Sequence, residues 1–316
     1  MLFRSVGLDP TVLVGGELSQ INGNYHTGKG KHLVFEACEY VDSFLKFNPY
    51  SAIVLNVEAD HLDYFSGIEQ IIKSFNAFLK KIPENGFAIL NCDDANVMES
   101  AKGITCRKIL YGKNGDYKAV DICFDENGAA LFKVVYAEGQ TQVKLSVKGQ
   151  HNVSNAVAVF ATAHTLGIEP SAIAKGISEF TGTKRRFEYK GMVCNARLYD
   201  DYAHHPTEIS VTLDAAKKIP HNRVWCVFQP HTYSRTKALM NDFAKALSQA
   251  DRVIITDIYA AREKNDGETS AKQLAEKISN AEYISSFEEI AKYLKENIEE
   301  NDIVLTMGAG TVTNLC

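Results

Sequence analysis

Two predicted strands end in acidic and histidine side chains. VFEACEYVDSFL (34–45) places Glu36 at the end of one strand, and LNVEADHLDYF (55–65) continues the next strand into Glu58, Asp60, His61 and Asp63. Open α/β sheets bind ligands at the carboxyl ends of their strands, so Glu36 and His61 are candidates for a divalent-metal site. Oxygen ligands favour Mg²⁺, and an imidazole ligand would also suit Mn²⁺. The alternatives are an acidic loop at Glu36, a base or capping role for His61, and helix capping by Asp60 and Asp63.

Two further stretches have side chains that could hold a nucleotide. GQHNVSNA (149–156) places Asn152 and Asn155 near a predicted helix start, where amides can read a purine or ribose edge and the helix N-terminus favours phosphate. Helix capping is the alternative for these asparagines. TGTKRRFEY (181–189) contains adjacent arginines, whose planar guanidinium groups suit phosphate unless both are simply solvated.

Two strand-to-helix junctions combine histidine, tyrosine and arginine. LYDDYAHHPTEIS (198–210) carries Tyr202, His204 and His205 before a helix that Pro206 is expected to begin. Adjacent histidines point in different directions, so we expect one to face a pocket and the other to be structural. FQPHTYSRTKALM (228–240) offers His231, Tyr233, Ser234 and Arg235, a set that suits an anionic substrate, with helix capping as the alternative for Ser234.

Short β-branched runs alternate with amphipathic stretches, which is typical of a parallel α/β fold. Strands are predicted at 32–37, 51–57, 86–91, 223–229, 251–258 and 302–308, and helices at 68–82, 149–167, 234–250 and 286–298. Residues 107–147 contain Gly and Asn turns between alternating segments and are predicted to form an antiparallel insertion. The helical pattern breaks near 186–192, which is the expected domain boundary.

Composition limits the classes of function. The 316 residues suffice for about two domains, and the net charge of −5 provides no field that would attract nucleic acid. Seven cysteines without a C-x-x-C pair favour reduced thiols in a cytoplasmic protein over a disulfide or zinc framework. No apolar run is long enough for membrane insertion.

Eight stretches in order resemble the Mur ligase family: GLDPTVLVGGEL, FEACEYVDSFL, NVEADHLDYF, GQHNVSNA, GTKRRFEY, DDYAHHPTE, FQPHTYSRT and MGAG. The resemblance implies an α/β protein with residues 1–188 as a central P-loop-type ATPase domain, incomplete and carrying the antiparallel insertion. It further implies that 189–316 form a C-terminal Rossmann-like domain.

The resemblance also implies segments that the sequence does not contain. The family's Gly-x-x-Gly-Lys-Thr/Ser phosphate loop and UDP-binding domain do not occur here, and MLFRSVGLDP is similar to the end of the helix after that loop. GNYHTGKGKH (23–32) contains Gly-Lys but is expected to be a loop before a strand. We therefore expect the chain by itself to lack ligase activity.

The reaction implied by the resemblance is ATP-dependent joining of a carboxylate to an amine through an acyl phosphate. DDYAHHPTE with FQPHTYSRT is similar to the branch that adds L-alanine to UDP-N-acetylmuramate in peptidoglycan precursor synthesis. By this resemblance Glu36 and His61 bind the metal, Asn152 and Asn155 lie beside adenine, and Arg186 and Asp201 contact the nucleotide. Tyr202, His204, His231 and Arg235 face the substrate, and His61, His204 and Arg235 act in catalysis.

Two positions depart from the family pattern, and other functions remain open. Thr232 stands where many relatives have a second arginine, and Lys73 is only an approximate match to the carbamylated lysine of some members. The alternatives are a ligase that adds a preformed peptide to the same sugar nucleotide and a non-catalytic nucleotide-binding fragment. A dehydrogenase is disfavoured because no G-x-G-x-x-G follows a strand. The oligomeric state is not predicted.

Overall fold

A computed structural model describes residues 2–61, 64–126, 128–265 and 267–316. The chain divides into two compact units, the first Met1–Asp125 with Ala129–Thr181, and the second Glu126–Gly128 with Gly182–Cys316. The division near residue 182 precedes the 188/189 boundary expected from the sequence. Residues 182–188 group with the second unit.

The first unit contains two small sheets built from the N-terminal strands. β1 (Thr11–Leu18) pairs antiparallel with β2 (Gly23–His26) and parallel with β3 (Leu33–Phe35). A second sheet has the order β4-β5-β6, with β4 (Ser51–Val54), β5 (Phe87–Asn91) and β6 (Arg107–Tyr111) all parallel. The strands predicted at 32–37, 51–57 and 86–91 are confirmed, with shorter bounds.

The antiparallel insertion is confirmed for its later part alone. β7 (Lys118–Phe124), β8 (Ala129–Tyr136) and β9 (Gly139–Lys148) form the antiparallel sheet. The prediction was wrong for 107–111, because β6 lies parallel to β5 with Ile109 and Tyr111 buried. A five-residue alternating run is compatible with either direction, and the packing of those side chains decides it.

Five helices cover these sheets: α1 (Leu2–Ser5), α2 (Ile68–Leu79), α3 (Ala95–Ser100), α4 (Gln150–Thr165) and α5 (Pro170–Ser178). Two 3₁₀ segments span Ser19–Ile21 and Tyr40–Lys46. α4 is buried along much of its surface, since its many alanines allow close packing on β5, β6 and the antiparallel sheet. The helices predicted at 68–82 and 149–167 are confirmed.

The second unit is built on one six-stranded sheet of order β10-β11-β15-β12-β13-β14. Its strands are β10 (Glu188–Val193), β11 (Ala196–Asp201), β12 (Val224–Phe228), β13 (Arg252–Ile255), β14 (Ala281–Tyr283) and β15 (Ile303–Met307). All pairs are parallel except β10 with β11. Successive residues of β12 point into two different hydrophobic cores. Cys226 and Phe228 belong to one core, and Trp225 and Val227 belong to the other, so this strand is buried on both faces.

Five helices flank this sheet: α6 (Pro206–Lys217), α7 (Tyr233–Ala238), α8 (Met240–Leu247), α9 (Ala271–Glu276) and α10 (Phe287–Asn297). A 3₁₀ turn spans Thr311–Leu315. The prediction of a single helix over 234–250 was wrong, because the backbone leaves helical geometry at Leu239 (φ −110°, ψ 17°). The apolar pattern crosses this kink unchanged, so periodicity could not show it.

Among the described residues, the helices are too short or too polar for any to span a bilayer.

Candidate active site

Four rings meet at the carboxyl ends of β11, β12 and β13. The ring centroids of Tyr202 and His204 lie 5.3 Å apart, and those of His204 and His231 5.8 Å apart. His231 in turn stacks on Tyr259 at 5.7 Å, with an interplanar angle of 25°. Arg235 joins this ring cluster, since its Nη1 lies 3.4 Å from Nδ1 of His231. The structure thus brings together the four residues predicted to face the substrate.

Arg185 holds the start of this cluster in place. Its carbonyl accepts a hydrogen bond from the Tyr202 amide at 2.6 Å, and its guanidinium carbon lies 4.9 Å from the Tyr202 ring centroid. The same guanidinium donates to buried Asp200 at 3.0 Å and to the Gly308 carbonyl at 2.6 Å. Of the two adjacent arginines, the sequence analysis selected Arg186 alone, as a nucleotide contact. The adjacent arginines were the available signal, but the partners that separate their roles lie far along the chain.

Arg186 is the more exposed of the two arginines. Its Nη1 lies 3.4 Å from Oε1 of Glu208, and its side chain is 53% exposed. Glu208, which the prediction did not select, also accepts hydrogen bonds from the amides of His204 and His205. His205 caps α6 through its side chain, which is a structural role, and Pro206 begins the helix as predicted. His204 belongs to the ring cluster, so the structural histidine of the pair is His205, and the prediction that His204 faces a pocket stays a prediction.

Asp201 is a buried carboxyl at the end of β11. Burial raises its pKa to about 6, although the amides of Ala203 and Phe187 donate to it at 2.8 and 2.7 Å and oppose that rise. Arg186 also favours the charged form of this carboxyl. Asp201 therefore changes its protonation state near pH 6, well above an ordinary aspartate.

The pKa of Asp201 predicts a pH-dependent stability difference. The folded state holds the proton of the Asp201 carboxyl more tightly than the unfolded state does. The stabilisation that this protonated carboxyl contributes is therefore full below about pH 4 and is lost as the pH rises through about 6. Relative to the wild type, Asp201→Asn should gain on the order of 3 kcal/mol of unfolding free energy across that window. Urea unfolding followed by the fluorescence of Trp225, the single tryptophan, measures this in the second unit. The exposed Asp214→Asn is the control, and parallel curves for Asp201→Asn and wild type would contradict the assignment.

The predicted metal ligands lie in the first unit and have different partners. The Glu36 carboxylate accepts a hydrogen bond from the Gly15 amide at 2.7 Å. Nε2 of His61 lies 3.4 Å from Oε1 of Glu39 and 3.9 Å from Oδ2 of Asp60. The described residues include no cluster of three or more His, Cys, Asp or Glu side chains that could hold a metal ion. One or two carboxylates with phosphates and waters are sufficient for Mg²⁺, so the donors present fit that ion, and Glu36 and His61 stay predictions.

The helix-capping alternative for this segment is wrong where the structure describes it. The N-cap of α2 is Gly67, while Asp60 accepts a hydrogen bond from the His61 amide at 2.7 Å. Asp63 lies outside the described residues. Asp42, which the sequence did not single out, accepts from Tyr64 at 2.7 Å and from Ser74, and its φ of 56° is unusual for a residue other than glycine. These contacts tie the segment after β3 to the segment after β4.

The two asparagines lie in the first turns of α4. Gly149, not an asparagine, is the N-cap of the helix. Asn152 donates from Nδ2 to the Lys148 carbonyl at 2.7 Å, and Asn155 donates to Asn152 at 3.3 Å. The capping alternative is therefore wrong, and their place beside adenine stays a prediction.

The Gly-Lys stretch is a loop over residues 27–32, between β2 and β3, but the prediction of a loop over 23–32 was wrong for Gly23–His26, which form β2. The amides of Lys29 and Gly30 both donate to Asp9 at 2.8 Å, and the Gly28 amide donates to Thr11 at 3.2 Å. A Cβ at Gly30 would lie 1.9 Å from the Leu8 carbonyl oxygen, so only glycine allows this close packing. Because these amides are used within the protein, the loop is not a phosphate cradle.

The junction before α7 differs from the capping alternative proposed for Ser234. Thr232 is the N-cap, with a φ of 65°, and its amide donates to the Tyr259 carbonyl at 2.9 Å. Ser234 donates instead to Glu263 through its amide at 3.0 Å and its hydroxyl. The side chain at 232 therefore lies on a strained turn that supports the ring cluster.

Comparison with known proteins follows this division of the chain. Residues 17–163 match the Mur ligase middle domain, and residues 185–310 match the Mur ligase glutamate ligase domain. The chain belongs to the Mur ligase family, whose members are ATP-dependent ligases.

Among its relatives is a UDP-N-acetylmuramate–L-alanine ligase of Caldanaerobacter subterraneus subsp. tengcongensis. It is 51% identical over 99% of this chain and 69% of its own length. The crystal structure of the UDP-N-acetylmuramate-alanine ligase MurC of Thermotoga maritima superposes with a TM-score of 0.82 at 26% identity, covering 99% of this chain and 69% of that one. The crystal structure of a murein peptide ligase of Psychrobacter arcticus superposes with a TM-score of 0.71 at 25% identity, covering 99% of this chain and 71% of that one.

Proposed function

We propose that the protein joins L-alanine to the carboxylate of UDP-N-acetylmuramate at the expense of ATP, a step of peptidoglycan precursor synthesis. The observation that carries this proposal is the 51% identity, over 99% of the chain, to a ligase named for that reaction. The ring cluster of the second unit, with Arg235 beside it, supports the proposal because it offers cationic and hydrogen-bonding groups to an anionic substrate.

The reaction needs charge neutralisation more than a protein nucleophile. The muramoyl carboxylate attacks the γ-phosphorus of ATP, which breaks the bond to the β-phosphate, releases ADP and gives an acyl phosphate. The amine of L-alanine then attacks the acyl carbon, phosphate leaves, and the nitrogen loses a proton to give the amide. Positioning and electrostatic stabilisation dominate phosphoryl transfer. Arg235 is suited to the developing negative charge, and the imidazoles of His204 and His231 can exchange hydrogen bonds with the amine and carboxylate of the entering amino acid.

The nucleotide and metal roles are proposed for residues of both units. Mg²⁺, or Mn²⁺ in its place, would be held by Glu36 and His61 together with ATP phosphates, and would neutralise phosphate charge when bound. Asn152 and Asn155 are proposed to contact adenine. Arg186 is proposed to contact the nucleotide, since its exposed guanidinium can exchange Glu208 for a phosphate, and Asp201 is proposed to act beside it.

A phosphate-release assay with ATP, UDP-N-acetylmuramate and L-alanine tests the proposal. It is run on the chain itself and on a chimera that adds the part of the Caldanaerobacter ligase that the chain does not match. We expect the chimera to release phosphate only when all three substrates are present, with L-alanine preferred over a tripeptide by at least about 100-fold in kcat/KM, as expected when a site excludes an acceptor that does not fit.

Three results, two from this assay and one that combines it with calorimetry, would contradict the proposal. Preference for the tripeptide would indicate the peptide-adding reaction for which the Psychrobacter ligase is named. Release that does not need L-alanine would indicate hydrolysis of ATP or of the acyl phosphate without formation of an amide bond. Calorimetric binding of ATP with Mg²⁺, but no release from either protein, would indicate a non-catalytic nucleotide-binding chain.

A further inference from the structure

The His204 ring has a defined hydrogen-bond environment on one side. Its Nδ1 lies 3.0 Å from the Tyr202 carbonyl oxygen and 3.4 Å from Oε2 of Glu208. A carbonyl oxygen can accept a hydrogen bond but cannot donate one, and the same is true of the Glu208 carboxylate when it is ionised. Nδ1 must therefore carry the proton. In the neutral ring this leaves the lone pair on Nε2.

Glu208 is ionised in this environment. Burial alone would raise its pKa, but the opposing effects of His204, the His204 amide and Arg186 together lower it below its ordinary value. The same carboxylate accepts from the His204 amide at 3.0 Å and the His205 amide at 3.3 Å. It therefore fixes the backbone from which the His204 ring projects as well as the ring itself.

We propose that Glu208 is a positioning residue that holds His204 as its Nδ1–H tautomer, so that Nε2 is the ring atom that accepts a hydrogen bond from the substrate. A carboxylate is a stronger acceptor than an amide or carbonyl oxygen, so Glu208 adds to what the Tyr202 carbonyl provides. The assignment of His204 to the acceptor side of the reaction rests on the proposed function. The substrate group that such a lone pair suits is the α-amino group of the entering amino acid, which donates hydrogen bonds.

Glu208→Gln separates this role from helix capping. The glutamine amide oxygen can still accept from the backbone amides of His204 and His205, so the start of α6 is retained while the charged acceptor is lost. In long-range ¹H–¹⁵N spectra of the ¹⁵N-histidine-labelled chain, with His204→Gln used for assignment, the ratio of Nε2–H to Nδ1–H tautomer should rise about fivefold. Glu288→Gln is the matched control, because it removes a carboxylate from the first turn of another helix of the same unit, α10.

The same variants are then compared in the phosphate-release assay. Glu208→Gln should lower kcat/KM for L-alanine about tenfold, since a lost charge-assisted hydrogen bond has an effect of that order. An unchanged tautomer ratio, or an equal change in Glu288→Gln, would overturn the positioning role. A shifted ratio with unchanged kcat/KM for L-alanine would overturn its use in the reaction. The spectra need no substrate, so failure of the wild type to use L-alanine would overturn the proposed function separately.

Discussion

Replacing Arg235 by alanine is expected to lower kcat for L-alanine-dependent phosphate release about 100-fold to 1000-fold, the effect of removing one preorganised group that stabilises developing negative charge. Arg235 projects from the first turn of α7, and its guanidinium lies against His231 within the ring cluster. No other residue of α7 is placed to supply the same charge there, because Lys237 pairs with Glu268 at the surface.

Lys237→Ala is therefore the matched control for Arg235→Ala. Both substitutions remove one positive charge from the same short helix, but Lys237 is 58% exposed and its ion pair with Glu268 is a surface contact of small energy. We expect Lys237→Ala to keep kcat within about twofold of wild type, as surface substitutions usually do. Similar losses in the two variants would show that net charge or helix stability, and not the position of Arg235, limits the reaction. Arg235→Lys should recover only part of the rate, because an ammonium lacks the planar donors of guanidinium.

Replacing Asp302 by alanine is expected to lower the unfolding free energy of the second unit by about 3–5 kcal/mol, the range found when one partner of a buried ion pair is removed. Asp302 is fully buried just before β15. It accepts hydrogen bonds from Arg223 at 2.8 Å, from Nε1 of Trp225 at 2.9 Å and from the Glu299 amide at 2.9 Å. Its removal takes this acceptor from Trp225 Nε1 and the Glu299 amide at the start of the central strand, while Arg223 keeps the Asn297 carbonyl and the exposed Glu299 carboxylate as partners.

The pH dependence of stability should change with this substitution as well. Burial acts to raise the pKa of Asp302, but the Arg223 guanidinium and the other donors outweigh it and lower the pKa. The stabilisation is therefore present above the ordinary pKa of an aspartate and is lost as the pH falls. Asp302→Ala should lose less stability than wild type on acidification.

Urea unfolding followed by Trp225 fluorescence, with circular dichroism as a second probe, measures both effects. Asp214→Ala is the control, because Asp214 forms an exposed pair with Lys218 on α6 and should change stability by less than about 1 kcal/mol. A loss below about 1 kcal/mol for Asp302→Ala would show that the network around it does not stabilise the unit.

The sequence by itself determined the class of fold and the family. Strand and helix periodicities are local, so 86–91 and 149–167 could be read before their partners were known. The order of eight short motifs indicated a Mur ligase, which the matches over 17–163 and 185–310 confirm. The residue types at the strand ends also selected Tyr202, His204, His231 and Arg235 before their proximity was known.

Only the tertiary structure decided how neighbouring residues of similar type divide their roles. Arg185 binds Asp200 and Gly308, while Arg186 faces Glu208; His205 caps α6, while His204 lies among the rings. It also decided that β6 is parallel to β5 and that two helices replace one across Leu239. The physical reason is that a periodic pattern records which side of an element is buried, whereas hydrogen bonds and ring contacts depend on groups brought together from distant parts of the chain.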